Sequence, residues 1–392
     1  MIDYSRFLSL IREAGMDAKI AKVFTDTLSK DEKFFPTDEK TKRWALERGF
    51  LPGRVELFGL TEDNYKSYLT NYEYYMMHPL NHHFRIWVND KLTLKYVLGC
   101  NELSDTMPEY YLYVENDGRY TYLSDVPETI GKDKDFILNL LKHKKVLAAK
   151  PNSGTSGGFG FLKLEYKDGV IIENNRPVDL SHFENTVSKL KNYVVTQYVH
   201  QHKTLSDIWP DSECTLRVIM VKPPAPTLYT LPEWKCIVSF ARFGSKASGG
   251  ASNLTSGGIG VGFNFETGKL ADFGVRYKQF SPNGEWKCDR HPDSDVLWKD
   301  VQLPNWDLAR EKIMAVCRHI SSLDYLGFDV ILTENGMKFC EINSLPAVDY
   351  NQIISGPVLE KEGSRAFFDS KGRNMIDNSN LLKIYDMCRC EE

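Results

Sequence analysis

A chain of 392 residues is long enough for two or three domains, or one multi-lobed enzyme, with a sizeable core. Hydrophobic residues make up 42% and charged residues 26%, an ordinary balance for a soluble globular protein. The net charge of −4 excludes a whole-molecule attraction to nucleic acid or anionic membrane, while leaving room for a local basic pocket. The eight cysteines (100, 214, 236, 288, 317, 340, 388 and 390) are scattered, several in apolar runs, which predicts reduced thiols rather than a disulfide framework. Cys388 and Cys390 are too close for an easy mutual bridge and supply only half a metal site.

The N-terminus, MIDYSRFLSLIREAG, is amphipathic and charged and lacks the apolar core of a signal peptide. No stretch approaches the ~20 apolar residues of a membrane span, so a cytoplasmic protein is expected. Phe7, Leu8, Leu10, Ile11 and Ala14 recur at helical spacing, and residues 1–85 read as mostly helical. Tyr68, Tyr72, Tyr74, Tyr75, Met76 and Met77 form an aromatic stripe that suits core or interface. His78, His82 and His83 follow with no carboxylate or cysteine beside them, so structural histidines are expected rather than metal ligands.

From about residue 86 short β-rich runs alternate with helical segments. YYLYVEN and RYTYLSD predict a strand pair around the turn Asn116-Asp117-Gly118, and 132–143 predicts a helix. VLAAKP (146–151) enters a glycine loop as a strand and FGFLKLEY (159–166) leaves it as one. YVVTQYV (193–199), TLRVIMV (215–221) and WKCIVSFARFG (234–244) predict further strands, and 306–323 an amphipathic helix. FDVILT, Glu334-Asn335-Gly336 and MKFCEIN predict a hairpin, and 356–392 a polar, helical tail.

Three stretches carry chemistry. In KPNSGTSGGFGFLKLEY (150–166), glycines and small hydroxyl residues join two strands, a pattern in which backbone N–H groups can turn toward an anion that Lys150 also reaches. A plain hairpin loop is the alternative, and a Walker loop is excluded because no Gly-Lys-Ser/Thr follows. In FDVILTENGMKFCEINSLPAVD (328–349), alternation puts Glu341 and Asn343 on one face, with Asp329 opposite them across the hairpin. Two carboxylates and an amide make an oxygen-rich site suited to Mg²⁺ carrying nucleotide phosphates. The alternative is a solvated polar face, which the apolar Ile331, Leu332, Phe339 and Ile342 argue against. In NDKLTLKYVL (89–98), Lys91 and Lys95 lie one helical turn apart, which alone is no more than a solvated face.

Taken along the chain, DKL…K, then KP with a Gly/Ser loop, then the hairpin, the three stretches resemble the ATP-grasp enzymes. The hairpin has the form D-x-x-L-T-x-(D/N)-G…E-x-N-(S/T)-x-P, and the D-alanine–D-alanine ligases are similar over about residues 86–350. RFGSKASGGASNLTSGGIGVGFNFETGKL (242–270) resembles more closely the ATP-grasp proteins associated with sugar transfer. The resemblance implies an α+β ATP-grasp fold in which two α+β lobes clasp nucleotide, preceded by an N-terminal helical region. The division it implies is 1–85 helical, 86–200 an N-terminal lobe with a Gly-loop lid at about 130–195, 201–355 a core lobe with the hairpin, and 356–392 a tail.

The resemblance also implies roles. ATP and Mg²⁺ are the cofactors. Lys91 and Lys150 contact the α and β phosphates, and the loop Ser153, Gly154, Thr155, Ser156, Gly157, Gly158 and Gly160 closes over the β and γ phosphates. Gln197, Tyr198 and Val199 form the hinge beside adenine, Glu213 binds ribose, and Asp329, Glu341 and Asn343 hold Mg²⁺. Two features depart from the dipeptide ligases. Gly327 stands where they carry an arginine that steadies the tetrahedral intermediate, and no βαβ domain is evident in residues 1–85. Arg217 and Arg242, on strands expected to face the cleft, are the substitutes for that arginine, with ordinary surface arginines as the alternative.

The expected reaction is ATP-dependent joining of a carboxylate, small or sugar-linked, to an amine or other nucleophile through an acyl phosphate, with a place in surface-polysaccharide assembly. A kinase of the same fold acting on a hydroxyl, and a non-catalytic nucleotide-binding scaffold, are the rival readings.

Overall fold

The computed structural model describes residues 2–100, 102–154, 159–249, 252–281 and 284–389. Among these, two seven-stranded sheets are antiparallel at every pairing. The first holds β1 (Tyr110–Val114), β2 (Tyr120–Tyr122), β3 (Val146–Pro151), β4 (Leu162–Lys167), β5 (Val170–Glu173), β6 (Arg176–Val178) and β7 (Tyr193–Gln197), in the order β2-β1-β7-β3-β4-β5-β6. The second holds β8 (Thr215–Val221), β9 (Lys235–Phe243), β10 (Ile259–Phe263), β11 (Leu270–Val275), β12 (Lys287–Cys288), β13 (Tyr325–Thr333) and β14 (Gly336–Asn343), in the order β12-β11-β10-β9-β8-β13-β14.

Alternation along each strand assigns the faces. In the first sheet Leu147, Ala149, Leu164 and Val195 pack on Phe136 and Leu140 of the helix Phe136–Lys144. Lys150 pairs with Val194 and Ala148 with Thr196, so these residues share the other face, which looks into the cleft. In the second sheet Leu216, Val218, Ala241, Phe328 and Val330 form a core with Ile313 and Val316 of the helix Trp306–His319. The opposite face is divided. Its lower part, Ile219, Val221, Val238, Phe240 and Tyr325, is covered by Phe7, Phe24, Tyr72, Tyr74, Val348 and Phe367. Its upper part carries the polar residues of the site.

The residues that cover the lower part come from both ends of the chain. The helices Tyr4–Glu13 and Ala18–Phe34 share one core with Ser364–Ser370 and Asn380–Met387. The ion pairs Arg43–Asp386 and Arg389–Glu39 add to that contact. The C-terminal segment is thus packed onto the N-terminal helices. The aromatic stripe supplies core here, with Tyr72 and Tyr74 each 1% exposed.

Several boundaries differ from the sequence expectation for local reasons. Asp329 lies in the middle of β13, because the apolar run that makes the strand begins at Tyr325. β4 begins at Leu162, since Gly160 takes a left-handed φ of 79° that ends the loop. The expected helix at 132–143 starts only at Phe136, after four charged residues. The helix from Trp306 stops at His319, where Ile320 leaves helical geometry.

Among the described residues no helix is long and apolar enough to cross a membrane. The cysteines among them are unpaired, and Cys390 lies outside the described residues.

Candidate active site

The upper part of the second sheet's open face is built by register. Asp329 stands opposite Arg217 on β8 and opposite Glu341 on β14. Asn343 is opposite Gly327, and Arg242 on β9 is opposite Thr215. Directly opposed residues share a face, so Arg217, Arg242, Asp329, Glu341 and Asn343 lie together.

Asp329 is the hub. Arg217 donates to it in a fork, Nε to Oδ1 at 2.6 Å and a terminal nitrogen to Oδ2 at 3.0 Å. Arg242 approaches Oδ1 at 2.9 Å. Burial pushes the Asp329 carboxyl up, but Arg217 and then Arg242 outweigh it and hold the group below the usual carboxylate range. Both arginines are therefore interior ion-pair partners, not surface residues; their side chains are only 15% and 12% exposed. The Nε of Arg242 and the hydroxyl of Thr215 opposite it are buried polar atoms with no hydrogen-bond partner.

Lys91 comes to the same place from a short helix whose Leu94 packs into the core of the second sheet. It opens the helix Lys91–Val97, capped by Asp90, whose side chain accepts from the Thr93 N–H at 2.8 Å. Its Nζ lies 4.0 Å from Glu341 Oε1. Burial pulls the Lys91 ammonium below its usual range, Glu341 opposing and Lys150 adding to the effect. Burial likewise raises the Glu341 carboxyl, which Lys91 counteracts and Asp329 reinforces. Counting Lys91, Lys150, Arg217 and Arg242 against Asp90, Asp329 and Glu341 leaves one positive charge over, on a chain whose net charge is −4. Such a cluster suits an anionic ligand.

Among the described residues no cluster of three or more His, Cys, Asp or Glu side chains forms a metal site. The expected oxygen set has two carboxylates and one amide. Among the described residues the side chains of Glu341 and Asn343 have no hydrogen-bond partner, and three of the roughly four lone-pair sites of Asp329 are taken by arginine. An all-oxygen set of this kind fits a hard dication, with Glu341 and Asn343 the open ligands and Asp329 the constrained one.

Some expected nucleotide residues lie as the sequence placed them, and some do not. Lys150 is on the cleft face of β3. Gln197 pairs with Leu147 on the face turned toward the helix Phe136–Lys144; its N–H donates to the Glu109 carbonyl at 2.8 Å and its side-chain oxygen accepts from the Glu109 N–H at 3.3 Å. Gln197, Tyr198 and Val199 line a cleft of about 410 Å³ with His200 and the hairpin tip Thr333–Lys338. Burial, then the neighbouring Glu213, raise the Tyr198 phenol pKa. Glu213 also accepts from the Gln201 N–H at 2.7 Å and lies 3.7 Å from His200. Ser153 and Gly154 are described and have no hydrogen bond to the hairpin, while Thr155, Ser156, Gly157 and Gly158 lie outside the described residues. Gly160 is required where it stands, because a Cβ there would sit 2.7 Å from the Tyr193 hydroxyl and 2.8 Å from the Pro151 ring.

Lys95 is neither at the site nor solvated. It pairs with Asp125 at 2.7 Å and donates to the Pro108 carbonyl at 3.1 Å.

Sequence reasoning missed three residues. Asn152, 4% exposed, accepts from the Leu92 N–H at 2.9 Å, donates to Asp90 at 2.6 Å and accepts from the Lys91 N–H at 3.0 Å through its carbonyl. It thereby ties Lys91 to the strand that carries Lys150. Its only signal was an Asn directly after the Lys-Pro of the glycine loop. Lys163 faces the cleft from β4, 4.8 Å from the Tyr198 ring centre. Cys340 is the extra residue where the β13–β14 register shifts, between Phe339 and Glu341.

A model of the sugar-transfer associated ATP-grasp family matches residues 71–366. Comparison with curated proteins returns no match. Solved structures resemble the chain distantly. N5-carboxyaminoimidazole ribonucleotide synthetase from Thermotoga maritima is 13% identical, covering 66% of this chain and 42% of that one, with a TM-score of 0.32. D-alanyl-alanine synthetase A from Vibrio cholerae is 12% identical over 76% and 65%, with a TM-score of 0.38. D-alanine–D-alanine ligase from Bacillus anthracis is 14% identical over 87% and 75%, with a TM-score of 0.32. The chain spans less than half the length of the carboxyaminoimidazole ribonucleotide synthases it matches.

Proposed function

The chain belongs to the sugar-transfer associated ATP-grasp family, and on that premise we propose that it is an ATP-dependent ligase that joins a carboxylate to an amine or similar nucleophile. The observation that carries this reading is the cationic cluster around Asp329, in which two arginines and two lysines converge on a face that also presents Glu341 and Asn343.

A carboxylate is a poor electrophile, because its carbonyl carbon would have to expel oxide. Attack of a carboxylate oxygen on the γ-phosphorus, with cleavage of the bond to the β-phosphate oxygen, releases ADP and leaves an acyl phosphate. The amine then adds to the carbonyl carbon, inorganic phosphate departs with the electron pair of the C–O bond, and the amine loses a proton to solvent. Phosphoryl transfer of this kind needs placement and charge neutralisation more than covalent help. Lys91 and Lys150 hold the phosphates, and Asn152 fixes Lys91 relative to Lys150. Tyr198 and Val199 bound the cleft for the base, and Glu213 takes a ribose hydroxyl. Glu341 and Asn343, with Asp329, would hold Mg²⁺, which would supply neutralisation of the phosphate oxygens. Arg242 stands toward the oxyanion of the tetrahedral centre, and Arg217 orients Asp329 through its fork.

The substrate reading goes one step further. The family's association with sugar transfer supports a sugar acid, or an amino acid joined to one, as the carboxylate, and a place in surface-polysaccharide biosynthesis in the cytoplasm. The test is ADP release with a panel of uronic and amino acids, with and without amines, and with hydroxylamine to trap an acyl phosphate as its hydroxamate. ADP formation that needs a carboxylate and yields hydroxamate supports the ligase. A stable phosphoester with no hydroxamate would select a kinase, and ATP binding without turnover a scaffold.

A further inference from the structure

The connection between β8 and β9 carries a feature that the ligase reading does not use. Residues 223–232, PPAPTLYTLP, contain no charged side chain. Within them Leu228 is 98% exposed, Tyr229 97% and Leu231 88%. Large apolar side chains are rarely left so bare in a folded protein, and three on one loop tip form a concentrated apolar point. The loop leaves the sheet at its lower edge, beyond Val221, four residues along β8 from Arg217.

Two further features concern the polar atoms of the same tip. Pro223, Pro224, Pro226 and Pro232 remove four backbone donors from ten residues. Two of the six remaining backbone N–H groups, those of Tyr229 and Thr230, are satisfied inside the loop. The hydroxyls of Thr227 and Thr230 are 2.7 Å apart, the Thr230 N–H donates to the Thr227 carbonyl at 3.3 Å, and the Tyr229 N–H donates to the Thr227 hydroxyl at 3.3 Å. At the base Lys222 lies over the Trp234 ring, 5.6 Å from its centre.

We propose that this loop tip inserts into the surface of a lipid bilayer and makes the protein peripherally membrane-bound. The chemistry separates lipid from a protein partner. A protein interface is built from a patch that packs against a complementary surface. These side chains protrude almost without neighbours, which suits a medium that demands no shape. Lipid instead demands that no charge enter and that few backbone donors be left open; the tip carries no charge, and its four prolines and two internal N–H bonds reduce its open donors to four. Leucines supply the apolar contact, while tyrosine and the lysine at the base suit the headgroup region. With a net charge of −4 the attachment does not depend on anionic lipid.

The experiment is flotation of the full chain with phosphatidylcholine vesicles at low and high salt, beside a variant carrying Leu228→Ser, Tyr229→Ser and Leu231→Ser. Wild type is expected to float with the vesicles at both salt concentrations. The variant is expected to lose at least tenfold of the bound fraction while keeping its melting temperature and its ATP binding. A Leu228→Trp variant adds a direct reading, since its extra indole emission shifts to the blue when vesicles are added. Wild type that stays with the unbound fraction, or a serine variant that floats equally well, overturns the proposal. So does a wild type that ignores vesicles and instead binds a protein through a contact that the serine variant loses.

Discussion

Arg217 and Asp329 face each other across the β8–β13 ladder, and the guanidinium grips both carboxylate oxygens, at 2.6 and 3.0 Å. That contact ties two strands of the second sheet at the point where the site's charges meet. It also sets a division of labour. An acid held this firmly by one arginine, and touched by a second, is fixed in orientation. The neighbouring Glu341, with no hydrogen-bond partner for its side chain among the described residues, is the carboxylate left to meet a cation.

Glu341→Gln follows from that division. The amide keeps the size and removes the charge from the more open of the two acids. A direct ligand to the phosphate-bearing cation is worth several kcal/mol, so turnover should fall by roughly a hundredfold or more. The fold should persist, because the Glu341 side chain contributes no hydrogen bond to it. ADP release at saturating Mg²⁺ together with a melting curve checks both halves. Near wild-type turnover excludes Glu341 as an essential ligand.

Lys150→Ala and Lys95→Ala should separate binding from structure. Lys150 faces the cleft beside Lys91 and Glu341. Its loss should weaken ATP binding, by about tenfold for one point charge at a phosphate. Lys95 joins the Asp125 carboxylate and the Pro108 carbonyl, so its loss should lower stability by about 1 kcal/mol and leave ATP affinity unchanged. Calorimetry and denaturation on both variants decide it; equal ATP affinities would contradict the assignment of Lys150.

How far the sequence carried the site depends on what each residue needs. That Glu341 and Asn343 share a face was legible from alternation, but an unbroken register from the two-residue turn would set Asp329 opposite Cys340; the extra residue at Cys340 is what brings Glu341 opposite Asp329. Lys91 was legible only through resemblance, since nothing local says that a helix N-terminus will meet a hairpin some 250 residues on. The arginine pair on Asp329 was not legible, because it depends on β8 lying between β9 and β13. The absence of an arginine at Gly327 has a physical cause that the sequence hides. A Cβ there would lie 2.4 Å from Pro346 Cβ, and the Pro346 carbonyl is held by the hydroxyls of Tyr74 and Tyr325 at 2.8 and 2.7 Å. The wedge that excludes a side chain is thus anchored by a tyrosine from residues 1–85. The helical body itself was expected, but its closure by the C-terminal helices needs long-range packing that no local pattern encodes.

His78 supplies a pH dependence of stability. Its Nδ1 lies 2.5 Å from the Tyr74 carbonyl in the core of that body, and burial pulls its pKa down from 6.5 to about 4. Between those values the unfolded chain binds a proton that the folded chain refuses, so stability rises with pH across this window. The contribution is full above pH 6.5 and is lost as pH falls toward 4, by up to about 3 kcal/mol at 1.36 kcal/mol per unit. His78→Gln should flatten the stability profile over that interval relative to wild type, whatever its effect at neutral pH. Denaturant midpoints at pH 4.5, 5.5 and 7 test it, and parallel profiles would show that His78 is not the titrating group.

Arg242→Lys tests the last role. Aminolysis of an acyl phosphate passes through a tetrahedral centre whose oxyanion needs a fixed donor, and removing such a donor typically costs about 10²–10³ in rate. Gly327 offers no side chain, and Pro346 fills the space where one would start. Arg217 spends its fork on Asp329. Arg242 reaches Asp329 through one terminal nitrogen only, and its Nε is buried without a partner on a face otherwise lined by the site's residues. A lysine at 242 keeps a positive charge near Asp329 but has no second, fixed donor to aim elsewhere. Chemistry should therefore slow by about a hundredfold, while ATP affinity stays within a few-fold of wild type. Single-turnover rates and calorimetric ATP binding on the same preparation separate the two effects. Normal turnover removes Arg242 from the oxyanion role; lost ATP binding with little change in the single-turnover rate would make it a ground-state phosphate ligand instead.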